Sequence, residues 1–357
     1  MTEPLSLAIV GLGRMGWIHA RNAVHLAAAG ACRVTAVVDA DQSRATRFAQ
    51  QFAPQARIFS SVEELARAGL AQAAVVVTPT EAHRAHAQTL LEGGLRILLE
   101  KPLTGTLAGD EDFCRWLEDH HPSAVMLAFQ RRFDEALTYG RDLMRSGLIG
   151  RVFKIYSALE DSGPPPKGYR SGGILPDMSV HNIDEILWFL ERMPTAALAI
   201  GARLYASQLG VVEEDFDDAL LHLWFHDLTA QIQVSRNHVS GYRVETILYG
   251  EQGQIQIGRF DQRPQQVTVQ AFGLRGATQP LAAKIFPCDP TEPGDPEFVQ
   301  RFGRAYQAEL AAFIDCCRKQ LPFPTSHRDA LRAQRVVTAA MNCLLTAEQA
   351  AALVASS

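Results

Sequence analysis

The chain has 357 residues, 47% of them hydrophobic and 20% charged, with a net charge of −5. At roughly 150 residues per domain this allows two hydrophobic cores, with no need for disulfides or metal to hold them. The acidic balance argues against an extended nucleic-acid surface, and no apolar run approaches the roughly 18 residues of a membrane span.

Leu7–Val10 reads as a buried strand, followed by Gly11-Leu12-Gly13-Arg14-Met15-Gly16 and a helix from Met15 to about Ala29. Val34–Asp39 is a second strand and Arg57–Phe59 a short third. A helix over Ser61–Ala68 starts at Ser60 or Ser61, with Glu63 and Glu64 in its first turn. Ala73–Thr78 is a strand, His83–Glu92 a helix ended by Gly93-Gly94, and Ile97–Glu100 and Ala124–Phe129 are further strands. Short strands alternating with helices predict parallel βαβ units.

The pattern changes after about Gln130. A helix near Asp134–Ser146 leads to a strand over Arg151–Glu160, a loop at Pro164-Pro165-Pro166, and a helix over Asp177–Leu190. Strand-like runs follow at Ala196–Tyr205, Ala219–Phe225, Leu228–Ser235, Arg243–Tyr249, Gln254–Ile257 and Gln266–Ala271. The turns at His226-Asp227 and Gly250–Gly253 suggest an antiparallel sheet. Leu228–Ser235 alternates polar and apolar side chains, so one sheet face is polar or meets another subunit. Helices near Phe302–Lys319 and His327–Leu345 close the chain. The expected fold is an α/β Rossmann domain over 1–129, then an α+β domain over 130–357 with a large, mainly antiparallel sheet. The closing helices are able to pack back on the first domain.

The glycine run carries chemistry because of its context. Gly11 permits the tight turn, Gly13 lets the backbone approach a pyrophosphate, and Gly16 allows close helix–strand packing. Arg14 and Met15 place their amides at a helix N-terminus, a natural phosphate site. Asp39, at the end of the second strand, can accept hydrogen bonds from the adenosine ribose and would repel a 2′-phosphate, which favours NAD over NADP. Arg44 keeps NADP open, and a helix-capping role is the plainer reading of Asp39.

Thr78-Pro79-Thr80-Glu81-Ala82-His83 and Glu100-Lys101-Pro102 follow the fourth and fifth strands, at the carboxyl ends where open α/β sheets bind ligands. Asp177 and His181, four residues apart, share one helical face beside the packing stripe Val180, Ile183, Leu187 and Leu190. A solvated helix face is the bland alternative. A metal would need further ligands that no nearby run supplies, so none is expected.

Together these stretches resemble the Gfo/Idh/MocA family of oxidoreductases, in its inositol 2-dehydrogenase-like branch. The resemblance runs from Gly11–Gly16 through Glu100-Lys101-Pro102, Gln130-Arg131-Arg132-Phe133-Asp134 and Gly172–His181 to Arg301-Phe302, Ala305-Tyr306, Glu309-Leu310 and Phe313. It implies a cis peptide before Pro102 and dimer or tetramer contacts through the large sheet. It assigns Lys101, Asp177 and His181 to catalysis, and puts Thr78, Pro79, Thr80, His83 and Glu100 beside the cofactor, with capping or packing at the helix start the alternative for His83. By matching positions, Gln130, Arg131 and Tyr242 fall near the substrate, although Arg131 has Asp134 as a possible partner and Tyr242 could simply pack. Where the family reads Tyr-Gly-Tyr-Asp this chain reads Ser240-Gly241-Tyr242-Arg243, so the first tyrosine and the aspartate are absent.

The expected activity is NAD-dependent oxidation of a secondary hydroxyl on a cyclic polyol or pyranose sugar. The rivals are a same-fold enzyme using bound NAD transiently, in glycoside cleavage or sugar–sugar redox exchange, and a non-catalytic regulator. The six cysteines form no CxxC pair, and the N-terminus lacks the basic region of a signal peptide, so the expected setting is a reducing cytoplasm. The expected partners are the small-molecule substrate and further copies of the chain, with no membrane.

Overall fold

The computed structural model of the protein describes residues 3–165, 171–205, 215–258, 266–274, 279–288, 295–349 and 351. Pro166, in the predicted proline loop, lies outside them. The chain divides into one unit of Met1–Gln130 with Ala305–Leu331, and a second of Arg131–Arg304 with Arg332–Ser357.

The first unit holds a six-stranded sheet in the order β3-β2-β1-β4-β5-β6. The strands are β1 (Leu5–Val10), β2 (Cys32–Val38), β3 (Arg57–Phe59), β4 (Ala73–Val76), β5 (Arg96–Leu99) and β6 (Val125–Leu127), and every pairing is parallel. The strands are short and buried throughout their centres, as a sheet covered on both faces requires. The order reverses between β1 and β4, the place where such sheets take ligands.

Helices α1 (Arg14–Ala28), α2 (Gln42–Phe52), α3 (Val62–Ala68), α4 (Thr80–Glu92) and α5 (Leu107–His120) connect the strands. Ser61 caps α3 by accepting the Glu64 amide, and Gly69 ends it at φ 61°. Helices α2 and α5 are absent from the sequence reading. Each hides a narrow apolar stripe in polar sequence, Ala45/Phe48/Ala49 and Phe113/Cys114/Leu117. His120 is the last residue of α5. The returning segment is tied in by Arg96, which donates to the Cys316 and Leu321 carbonyls, and by Thr325, which donates to the Leu127 carbonyl.

The second unit is built on nine strands in the order β14-β13-β12-β11-β7-β10-β9-β8-β15. They are β7 (Val152–Glu160), β8 (Ala196–Ala202), β9 (Asp218–Phe225), β10 (Leu228–Ser235), β11 (Arg243–Gly250), β12 (Gly253–Ile257), β13 (Gln266–Phe272), β14 (Ala282–Pro287) and β15 (Leu344–Thr346). Only β7–β10 and β8–β15 pair in parallel. Helix α6 (Glu135–Arg145) packs on β12–β14, and α7 (Val180–Leu190) on β7 and β10. Ile155, Leu221, Leu223, Ala230, Ile232, Leu248 and Ile255 are buried, while Leu220 and Trp224, alternating with them on β9, are 41% and 39% exposed. Helices α8 (Glu297–Lys319) and α9 (His327–Asn342) close the chain, and the division between units falls within each. Among the described residues no helix is long and apolar enough to cross a membrane.

Candidate active site

The Gly11–Gly16 loop shows which glycines the protein itself requires. Gly11 has φ 91°, and a Cβ there would lie 2.7 Å from the Val77 carbonyl oxygen. A Cβ on Gly16 would lie 2.1 Å from the Gly11 carbonyl oxygen. Gly13 differs: its φ is −67°, and a Cβ would meet nothing within 4 Å. No neighbour in the protein excludes a side chain at Gly13, as expected where space is kept for a ligand. Gly13 also caps α1 without a side-chain bond, so the amides of Arg14 and Met15 stand at the positive end of the helix.

Asp39 follows β2 directly and is buried. Its Oδ2 accepts the Leu12 amide at 2.7 Å and its Oδ1 the Asp41 amide at 2.8 Å. The cap of α2 is Asp41, which accepts the Ser43 and Arg44 amides, so the capping alternative for Asp39 fails. Asp39 instead anchors the glycine loop. Arg44 reaches Asp39 at 3.4 Å and Asp41 at 3.5 Å, so two carboxylates oppose its charge.

The two loops after β4 and β5 are held from behind. His83 is 1% exposed, with Nδ1 2.8 Å from the Pro102 carbonyl and Nε2 2.9 Å from the Thr78 carbonyl. Burial pushes its imidazole below the ordinary value, and the neutral ring donates its one N–H to one of the two carbonyls. His83 thus sits as a strut between the two loops. Glu100 is held as well: Oε1 pairs with His19 Nε2 at 2.8 Å, and Oε2 accepts the Lys101 amide at 3.1 Å. His19, unassigned in the sequence, is fully buried and meets Tyr306 edge-on at 5.7 Å. The Lys101–Pro102 peptide is cis, and Thr80 opens α4 just after Pro79.

In the second unit, Gly172 and Gly173 both have positive φ, 79° and 104°, and turn the chain into the site helix. That helix does not begin as an α-helix. Leu175–Ser179 forms a π turn, and the α-helix starts at Val180. Asp177 therefore sits on the π turn and His181 on α7, correcting the single α-helix read from the sequence. The turn is wider than an α turn, and such insertions cluster at functional sites. Both residues are half-buried while their neighbours Met178, Ser179, Val180 and Asn182 are buried.

A chain of polar contacts fixes α7. Asn182 donates to Ser157 Oγ at 2.7 Å, and Ser157 shares a hydrogen bond with Thr246 at 3.1 Å. Glu185 accepts from Thr246 Oγ1 at 2.5 Å and from Arg131 Nη1 at 2.8 Å. Arg132 holds Asp184 with two bonds, 2.6 and 3.0 Å. Arg131 is 2% exposed and lies 5.4 Å from the Phe302 ring, and through Glu185 it braces the helix. Its suggested partner Asp134 instead caps α6 and pairs with Arg301. Gln130 is buried at the start of a short 3-10 turn. Tyr242 is part-buried near Asp161, Arg131 and Arg301. Burial pushes its phenol above the ordinary value, so it keeps its proton at neutral pH. Arg236, Asp215 and Glu185 carry no sequence signal that separates them from the chain's many other charges. Among the described residues no group of His, Cys, Asp and Glu could hold a metal ion.

A parallel nucleotide-binding unit followed by a sheet unit that displays Asp177 and His181 defines an NAD-binding oxidoreductase. A model of the oxidoreductase family with NAD-binding Rossmann fold, Gfo/Idh/MocA, matches residues 5–129, and the Gfo/Idh/MocA C-terminal domain matches residues 137–256. The chain belongs to this family. It is 30% identical over 326 residues to the scyllo-inositol 2-dehydrogenase (NAD(+)) of Bacillus subtilis, covering 89% of this chain and 87% of that one. It is 27% identical over 343 residues to the inositol 2-dehydrogenase of Rhizobium meliloti, covering 96% and 97%. A crystal structure of a putative myo-inositol dehydrogenase from Sinorhizobium meliloti matches at TM-score 0.78 and 25% identity over 95% and 97% of the two chains. The scyllo-inositol dehydrogenase from Lactobacillus casei shares the fold at TM-score 0.79 and 23% identity, covering 96% and 97%.

Proposed function

We propose that the protein is an NAD-dependent dehydrogenase that oxidises a secondary hydroxyl of a cyclic polyol, an inositol or a pyranose sugar. The observation that carries this reading is the half-buried Asp177 and His181 pair, at the start of a helix that the buried network around Glu185 holds in place. A sensor would not need such a pair. The inositol dehydrogenases among the relatives support the substrate class.

Bound NAD would accept the hydride. The chain's own residues do the rest. His181 takes the hydroxyl proton, since imidazole titrates near neutrality. Lys101 hydrogen-bonds the reacting oxygen and stabilises the charge that develops there. Asp177 orients the imidazole or grips a neighbouring hydroxyl. Gly13, Arg14, Met15 and Asp39 form the cofactor contacts, with Thr78, Pro79 and Thr80 beside them, and Tyr242 supplies a neutral hydroxyl toward substrate.

The protein works as a homodimer or homotetramer. The exposed Leu220 and Trp224, together with the polar Thr229, Gln231 and Gln233 of β10, support pairing through the open sheet face. All six cysteines are free, which supports a reducing cytoplasmic setting. The test is NADH absorbance with a panel of inositols, pyranoses and glycosides. A steady rise with a free polyol is expected. Turnover without net NADH would instead point to transient use of bound NAD, and binding without turnover to a regulator. Light scattering of L220E/W224E should give a monomer if the sheet face pairs.

A further inference from the structure

Arg236 follows β10 and is 1% exposed, one of the largest fully buried side chains among the described residues. Its Nη1 and Nη2 both lie 3.4 Å from Asp177 Oδ2, and Nη2 lies 3.4 Å from Asp215 Oδ2. One buried guanidinium therefore bridges two carboxylates that would otherwise repel each other. Burying an arginine is costly unless it is paired, so this placement demands both acids.

Asp215 has a second task. Its Oδ1 accepts the Ile174 amide and the Phe216 amide, each at 2.9 Å. Ile174 is the residue immediately before the π turn that carries Asp177. A Cβ on Gly173 would lie 3.0 Å from the same Oδ1, so the turn closes tightly on Asp215. The backbone entering the site and the carboxylate displayed on it are thus held by one connected pair. Arg236 thus holds the Asp177 carboxylate through Oδ2.

We propose that Arg236, braced by Asp215, is a positioning residue that orients the Asp177 carboxylate for the hydroxyl oxidation. The inference rests on the reading of Asp177 as part of the catalytic set. Misplacing a reacting group by about 1 Å costs on the order of 100-fold.

The test uses the full-length enzyme with NAD and myo-inositol as the first probe, or whichever polyol of the panel turns over fastest. R236Q should lower kcat about 10- to 100-fold, with KM within a few-fold and the Kd for NAD within about twofold. R236K, which keeps the charge, should recover most of that loss, and D215N should lose about 3- to 10-fold. D177N should lose at least as much as R236Q, and adding R236Q to D177N should cost less than about threefold more. Rates are taken per folded site, counted by NADH formed in a single turnover, so lowered stability alone does not mimic the effect. If R236Q fails to fold, R236K, D215N and the D215N/D177N pair carry the same comparison. D177N impaired while R236Q or D215N turns over within twofold of wild type overturns the positioning role and leaves the catalytic reading standing. Multiplicative losses in the double variant also overturn it. D177N at wild-type rate, or no turnover of any polyol, overturns the proposed function and this inference with it.

Discussion

The substitution Gly13→Ala separates what the fold needs from what the cofactor needs. The new Cβ meets no protein atom within 4 Å, and the backbone at φ −67° and ψ −169° suits alanine. Alanine is a poorer N-cap than glycine, but it also restricts the unfolded chain, and the two effects oppose each other at about 0.5–1 kcal/mol each. The net change in stability should stay within about 1 kcal/mol, or about 2–4 °C in Tm. The added methyl occupies the space proposed for the pyrophosphate. Losing one charge-assisted hydrogen bond costs about 1.5–3 kcal/mol, a rise in Kd for NAD of about 10- to 150-fold. Gly16→Ala makes the contrast: its Cβ would stand 2.1 Å from the Gly11 carbonyl oxygen, so the backbone must move. That should cost about 1–3 kcal/mol of stability or more. Calorimetric NAD titration and thermal unfolding of both variants check this. Wild-type NAD affinity in G13A would refute the argument, as would a Tm loss in G13A matching that in G16A.

Three further outcomes follow from the same geometry. NAD should bind at least about tenfold tighter than NADP, and D39A should weaken NAD and narrow that ratio, since Asp39 both faces the ribose in this reading and anchors Leu12; equal affinities in the wild type would sink it. H181A should lower turnover by roughly 10²–10⁴ while still binding NAD, and turnover within a few-fold of wild type would reject His181 as the base. Burial raises the Asp110 carboxyl from 3.8 to about 6, although Thr104 donates to it, so the folded state binds that proton more tightly than the unfolded chain. Stability is then lost as pH rises from about 4 to about 6, by an amount on the order of 3 kcal/mol. D110N, neutral throughout, should match wild type in urea unfolding near pH 4 and exceed it above pH 6; a pH-independent difference would show that desolvation is not the cause.

Much of the first unit is legible because its signals are local. Strand, glycine turn, helix and Asp39 lie within a span of about 35 residues, and Gly11 and Gly16 answer backbone needs of their own neighbourhood. The strands of the second sheet are legible for the same reason, from two-residue alternation. What escapes is marginal or masked by context. The stripe of α2 is short, β14 is an edge strand with most side chains exposed, and β15 is three residues long, its pairing with β8 invisible to local periodicity. The π turn under Asp177 is a register choice that an i to i+4 spacing cannot reveal.

The sequence alone therefore determined that a dinucleotide loop stands near the start of the chain and which family its stretches resemble. The tertiary structure decided which partners within the fold several of the side chains in those stretches take. His83 and Glu100 are bound from behind, Arg131 is claimed by Glu185, and Asp177 is gripped by Arg236, partners 19 to 81 residues apart in the chain. A side chain's residue type states what it can bond, but folding brings the partner that uses the bond. Burial then makes the pairing compulsory, because a charge out of water without one is too costly to keep.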